Sequence, residues 1–136
     1  DVGHGMGSFA FEVARRALAQ GFVPDVISSD LHTYSLPGPA LDLPTTLAKF
    51  LHLGMSLPEV VARATAIPAR VLGMQGKIGT LAEGAEGDAT LLRLEEGAFP
   101  LVDTLGIIEM GRWMLRVAGV IRRGDFAARS QTSNRE

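Results

Sequence analysis

The stretch Pro24-Asp25-Val26-Ile27-Ser28-Ser29-Asp30-Leu31-His32 decides how this chain reads. Val23, Val26 and Ile27 form a short apolar run suited to a buried strand, with Pro24 tolerated at its start. The strand is expected over Val23 to Ser29, and Asp30 follows it directly and opens a loop. Immediately upstream, Phe9, Val13 and Ala17, with Ala10, Ala14 and Leu18, recur at helical spacing between a candidate N-cap, Ser8, and a natural stop, Gly21. The order Gly-rich loop, helix, strand is the second half of a βαβ unit, the first strand of which would end at Asp1-Val2.

Downstream, Asp42 caps a second helix running to about Leu53, with Gly54 behind it. Ser56-Leu57-Pro58-Glu59 is a capping box that starts a third helix, carrying Val60, Val61 and Ala64 and broken at Ile67-Pro68. A last turn, Ala69 to Leu72, stops at Gly73. From Gly76 the pattern changes. Gly79, Gly84 and Gly87 separate short apolar runs at Thr80-Leu81, Ala89 to Leu94, Phe99 to Val102 and Trp113 to Ile121, which predicts antiparallel strands and turns. The expected organisation is an α/β segment over residues 1–75, a β segment over 76–124 and a polar tail over 125–136.

Composition narrows the function classes. The 136 residues are 46% hydrophobic and 21% charged, as expected of a globular chain, and the net charge of -2 offers no electrostatic footprint for nucleic acid. There is no Cys, which excludes disulfides, thiolate zinc sites and cysteine nucleophiles. No apolar run approaches the roughly 20 residues of a membrane span, so a soluble, cytoplasmic protein without membrane partners is expected. The chain opens with Asp inside a Gly-rich loop, the expected appearance of a piece of a longer protein.

Few residues can carry chemistry. Asp30 stands where parallel α/β architectures place catalytic groups, at the carboxyl end of a strand. A carboxylate there binds a metal or shuttles a proton, or else caps a turn; local spacing leaves both open. His4 lies between glycines that let a ligand approach the backbone, and His32 can share a cleft with Asp30. His52 falls within a helix and reads as structural or surface. The run Gly3 to Ser8 could instead cradle a phosphate at a helix start, but it lacks a P-loop ending and a dinucleotide fingerprint. Arg123-Gly124-Asp125 is a triplet too short to carry weight.

Several stretches, in order and spacing, resemble the C-terminal portion of the amidohydrolase superfamily, in its deacetylase and dihydroorotase-like branch. They are Asp1 to Gly5 with Gly7-Ser8-Phe9, Pro24 to His32, Gly38-Pro39 with Asp42-Leu43, and Lys49 to Leu57. Ala64-Thr65, Pro68-Ala69, Leu72-Gly73, Gly79 to Gly84 and Gly87-Asp88-Ala89 continue the likeness.

The resemblance implies the last βα units of a (β/α)8 barrel followed by part of a small β-sandwich. It implies that Asp30 ligates a divalent metal, zinc by expectation, and accepts a proton from the attacking water. His4, Gly5 and His32 would contact a small amide substrate, N-acetylated or cyclic. The superfamily's His-x-His pair is absent, as are its bridging Lys and further His ligands; the histidines are His4, His32 and His52, and the lysines Lys49 and Lys77. A full barrel takes about 250 residues. The resemblance therefore implies a fragment, inactive alone, whose partners are the N-terminal part of the enzyme and further copies of itself. Two alternatives from other classes are a small anion-binding module built on the Gly-rich loop and an oligomerisation piece.

Overall fold

The computed structural model describes residues 7–34 and 41–127. Four helices precede a three-stranded antiparallel sheet: α1 (Phe11–Ala19), α2 (Leu43–His52), α3 (Leu57–Ala64), α4 (Ala66–Val71), then β1 (Ala89–Val102), β2 (Ile108–Arg122) and β3 (Asp125–Ala127). The sheet order is β1-β2-β3.

The capping chemistry of α2 and α3 is as the sequence predicts. Asp42 accepts the Thr45 amide at 2.7 Å, with Pro44 in the first turn. Glu59 reaches back to the Ser56 amide at 2.8 Å and its hydroxyl at 2.6 Å, which holds the exposed Glu59 carboxyl below its usual range. Gly21 and Gly54 follow α1 and α2 with positive φ, the geometry that glycine alone adopts without cost.

Three expectations are corrected. Ser8 does not cap α1; the N-cap is Ala10, which offers no side chain, and the amide of Phe11 is taken by the distant Asp103. The strand expected at Val23 to Ser29 contributes only a single bridge residue, Ile27, among the described residues. The break after α3 falls at Thr65 rather than at Ile67-Pro68, because Pro68 fits the first turn of α4, where no amide is required.

In the β segment, Ala89–Val102 is one strand rather than two, because Glu95 and Glu96 pair with Met114 and Trp113 and a bulge absorbs Gly97 and Ala98. Thr80-Leu81 forms no strand, and Leu81 is exposed. Asp125–Ala127, read from sequence as the start of the tail, pairs with Val120 to Arg122 as β3.

One buried cluster unites the segments before and after residue 76. Phe9, Phe11, Leu47 and Phe50 meet Leu101, Met114 and Leu115. The Phe9 ring makes edge contacts with Phe11 and Phe50 at centroid distances of 5.3 and 5.5 Å. Gly111 lets Leu101 lie close against β2, since a Cβ there would stand 2.6 Å from the Leu101 side chain. The long hairpin thus seats its inner face on α2 and on the segment that leads into α1.

Candidate functional site

Asp30 ends a segment held from below by α3. The Ile27 amide donates to the Arg63 carbonyl at 3.0 Å, and Arg63 Nη1 donates to the Pro24 carbonyl at 2.6 Å. Ile27 is buried, whereas Asp30, three residues on, is exposed and has φ 50°. This left-handed conformation is uncommon outside glycine, asparagine and aspartate. It turns the chain sharply where the buried segment ends and leaves the carboxylate at the surface.

His32 lies on the same exposed loop. Its Nδ1 accepts the Tyr34 amide at 3.3 Å, and the two rings stand 6.1 Å apart in an edge arrangement. The structure therefore brings Asp30 and His32 onto one surface loop. His4 and Gly5 lie outside the described residues, as do most of the Gly-rich run, the Gly38-Pro39 loop and residues 128–136. Among the described residues no three His, Cys, Asp or Glu side chains are grouped closely enough to hold a metal ion. The single carboxylate of Asp30 is chemically suited to be one ligand of a metal, but the described residues do not make a metal centre by themselves.

The strongest polar cluster is elsewhere, and the sequence reading passed over it. Asp103 is buried, and its carboxylate accepts amides from Leu105 and Ile107 at 2.9 Å each and from Phe11 at 3.1 Å. Burial pushes this carboxyl up, but the Ile107, Phe11 and Leu105 amides and the nearby Lys49 charge outweigh it and leave it below its usual range. Lys49, fully buried on α2, donates to the Val102 carbonyl at 2.6 Å. Burial lowers its ammonium pKa to about 8 against the opposing pull of Asp103. Lys49 within the apolar run from Leu47 to Leu51 was the one available signal that this cation points inward.

His52 is structural, as its helical setting suggested. Its Nε2 lies 2.7 Å from Glu109 Oε2, the same atom that Arg15 reaches at 2.6 Å. The His52 hydrogen bond, then that of Arg15, holds Glu109 below the usual carboxylate range.

The first amide of α1 already faces the Asp103 carboxylate. A phosphate approaching that helix start would meet a like charge, which disfavours the anion-cradle reading of the Gly-rich loop. A cavity of about 190 Å³ beside α1, lined by Phe9, Val13, Ala14, Leu18, Phe22 and Phe50 among others, is almost wholly apolar and includes neither Asp30 nor His32.

Comparison with known proteins settles the family. A sequence model of the amidohydrolase family matches residues 10–125, most of the chain. This chain belongs to the amidohydrolase family. Within that family it is similar to a protein named Deacetylase Atu3266 from Agrobacterium fabrum, with 38% identity over 108 residues, covering 78% of this chain and 26% of that protein. A protein named Deacetylase from Enterococcus faecalis is 33% identical over 127 residues, covering 93% of this chain and 34% of the relative. Among solved structures, an adenine deaminase superposes with a TM-score of 0.88 at 30% identity, covering 93% of this chain and 34% of that one. A dihydroorotase superposes with a TM-score of 0.82 at 31% identity, covering 92% and 34%. This amidohydrolase-family chain thus spans a quarter to a third of the relatives it matches. The likeness to deacetylases and dihydroorotases noted in the sequence holds at the level of fold and family.

Proposed function

We propose that this chain is the C-terminal portion of a metal-dependent amidohydrolase that hydrolyses the C–N bond of a small amide, N-acetylated or cyclic. In this reading, α1, the Ile27 segment and the helices after it are the last βα units of a (β/α)8 barrel, and the hairpin belongs to a flanking β-sandwich. The TM-score of 0.88 over 93% of the chain against one third of an adenine deaminase supports that placement.

The observation that carries the chemical reading is the position of Asp30, exposed at the left-handed turn where an anchored, buried segment ends. Its carboxylate would accept the proton of the attacking water and return it to the leaving nitrogen. A divalent metal, zinc by expectation, would lower the pKa of that water when bound. Because the described residues hold no group of three ligands, most of its ligands would come from polypeptide outside this chain. His4, Gly5 and His32 would contact the substrate. The partners would be the remainder of the enzyme and further copies of it, in the cytoplasm, and the isolated chain would be inactive.

The test is Asp30→Asn in the complete enzyme carrying these residues, assayed on an N-acetyl amino acid and on a cyclic amide. The isosteric amide cannot take a proton at neutral pH. A fall in kcat of between about a hundredfold and ten-thousandfold is expected. Turnover equal to wild type on both substrates ends the proposal.

A further inference from the structure

Among the described residues, the segment that carries Asp30 has one bridge residue, Ile27, and no run of strand pairing to fix it. Two hydrogen bonds to one residue of α3 hold it instead. The last carbonyls of a helix have no partner within it, and that of Arg63 is taken by the Ile27 amide at 3.0 Å. The Arg63 side chain reaches the same segment further upstream, where its Nη1 donates to the Pro24 carbonyl at 2.6 Å. Arg63 thus grips the chain at two points three residues apart, through its backbone and through its guanidinium, while the Ile27 side chain is sunk in the core.

This grip does more than finish a helix. Arg63 Nε is buried without a hydrogen-bond partner, and a buried donor left unmade costs free energy. A residue present only to fill space beside Ile27 would carry no such orphan. What the guanidinium secures is the course of the chain from Pro24 to Ile27. Three residues beyond Ile27 the chain turns at Asp30, whose φ is 50°. Side chains of an extended segment alternate, so a slip of one residue at Ile27 would turn those that follow to the opposite face.

We infer that Arg63 is a positioning residue for Asp30: by holding Pro24 and Ile27 it sets where the Asp30 carboxylate stands relative to the reacting bond. The inference rests on the reading of Asp30 as the proton acceptor. Displacing a reacting group by about 1 Å can cost about a hundredfold in rate.

The experiment is a double-mutant cycle in the complete enzyme, comparing wild type, Arg63→Met, Asp30→Asn and the double variant. Steady-state kinetics are measured on whichever of an N-acetyl amino acid and a cyclic amide the wild type turns over, and thermal melts give the folded fraction of each protein. Arg63→Met keeps an apolar stem, removes every side-chain donor and is expected to fold. It should lower kcat per folded molecule about ten- to a hundredfold, with KM within about threefold of wild type. In the Asp30→Asn background the same change should cost less than about twofold in kcat, because the group it positions is already lost. Hydrogen exchange of the Val26 to Asp30 amides should quicken in Arg63→Met while that of α2 stays unaltered. A wild-type kcat in Arg63→Met, or a loss of equal size in both backgrounds, overturns the positioning role, and so does unchanged exchange over Val26 to Asp30. If Arg63→Met does not fold, the same cycle with Arg63→Gln decides. Failure of the proton-acceptor reading is seen separately, as full turnover in Asp30→Asn.

Discussion

The ammonium of Lys49, in the middle of α2, lies 2.6 Å from the carbonyl oxygen of Val102 at the end of β1. A buried cation thus ties the helical segment to the hairpin at the point where the two share a core. This bond has a pH signature. The unfolded Lys49 holds its proton up to about pH 10.5, the folded one only to about 8, because burial disfavours its charge. Between these values the unfolded chain binds more protons, so the contribution of Lys49 to stability rises with pH by up to about 1.4 kcal/mol per unit. Urea unfolding of wild type and Lys49→Met at pH 7 to 10 should give a difference that is flat below pH 8 and then grows in favour of wild type. A constant difference across the range contradicts this account.

The Glu109 carboxylate joins Arg15 of α1 and His52 of α2 to β2 through one oxygen. Glu109→Gln is expected to cost about 1 kcal/mol, since the site is partly exposed and partly screened. The sign with pH follows from a carboxyl held low in the fold. The contribution is complete above the unfolded value near 4.5 and is lost as pH falls through the lower folded value. Chemical denaturation of wild type and Glu109→Gln at pH 7 and pH 3 should therefore converge at the acid end.

Phe50 packs edge-on against Phe9 and is 2% exposed, whereas Leu81 is 88% exposed. Phe50→Ala should cost about 3–5 kcal/mol through lost transfer energy and the cavity left behind. Leu81→Ala should stay within about 0.5 kcal/mol of wild type. Equal losses in denaturation midpoints would show that the shared core described above is misplaced.

Gly79 and Gly84 both have positive φ, but only Gly79 is crowded: a Cβ there would lie 2.6 Å from the Thr65 carbonyl oxygen, while Gly84 faces open space. Gly84→Ala should cost about 1 kcal/mol of backbone strain. Gly79→Ala adds a clash with rigid backbone and should cost distinctly more. Paired thermal melts of the two variants separate conformational strain from steric exclusion.

Much of the helical half was legible because its signals are local. The Asp42 cap, the Ser56–Glu59 box and the glycine stops act over three or four residues and satisfy the same orphan amides and carbonyls wherever the helix sits. The loop position of Asp30 was also legible, three residues past the apolar pair Val26-Ile27. Ser8 misled because capping is a competition: the nearby hydroxyl lost the start of α1 to a distant loop. The two short β runs merged because cross-strand pairing through Glu95 and Glu96 tolerates a bulge that reads, in sequence, as a turn.

Order along the chain was enough to establish the helices, the switch to antiparallel strands near Gly76 and the loop that opens at Asp30. Each depends on contacts between near neighbours or on simple apolar periodicity. Folding alone could reveal that Lys49 turns inward, that Asp103 begins α1 and that Glu109 links three elements. Those partners lie 53 to 94 residues apart, and the energy of a buried charge depends on what surrounds it in space, which no local pattern encodes.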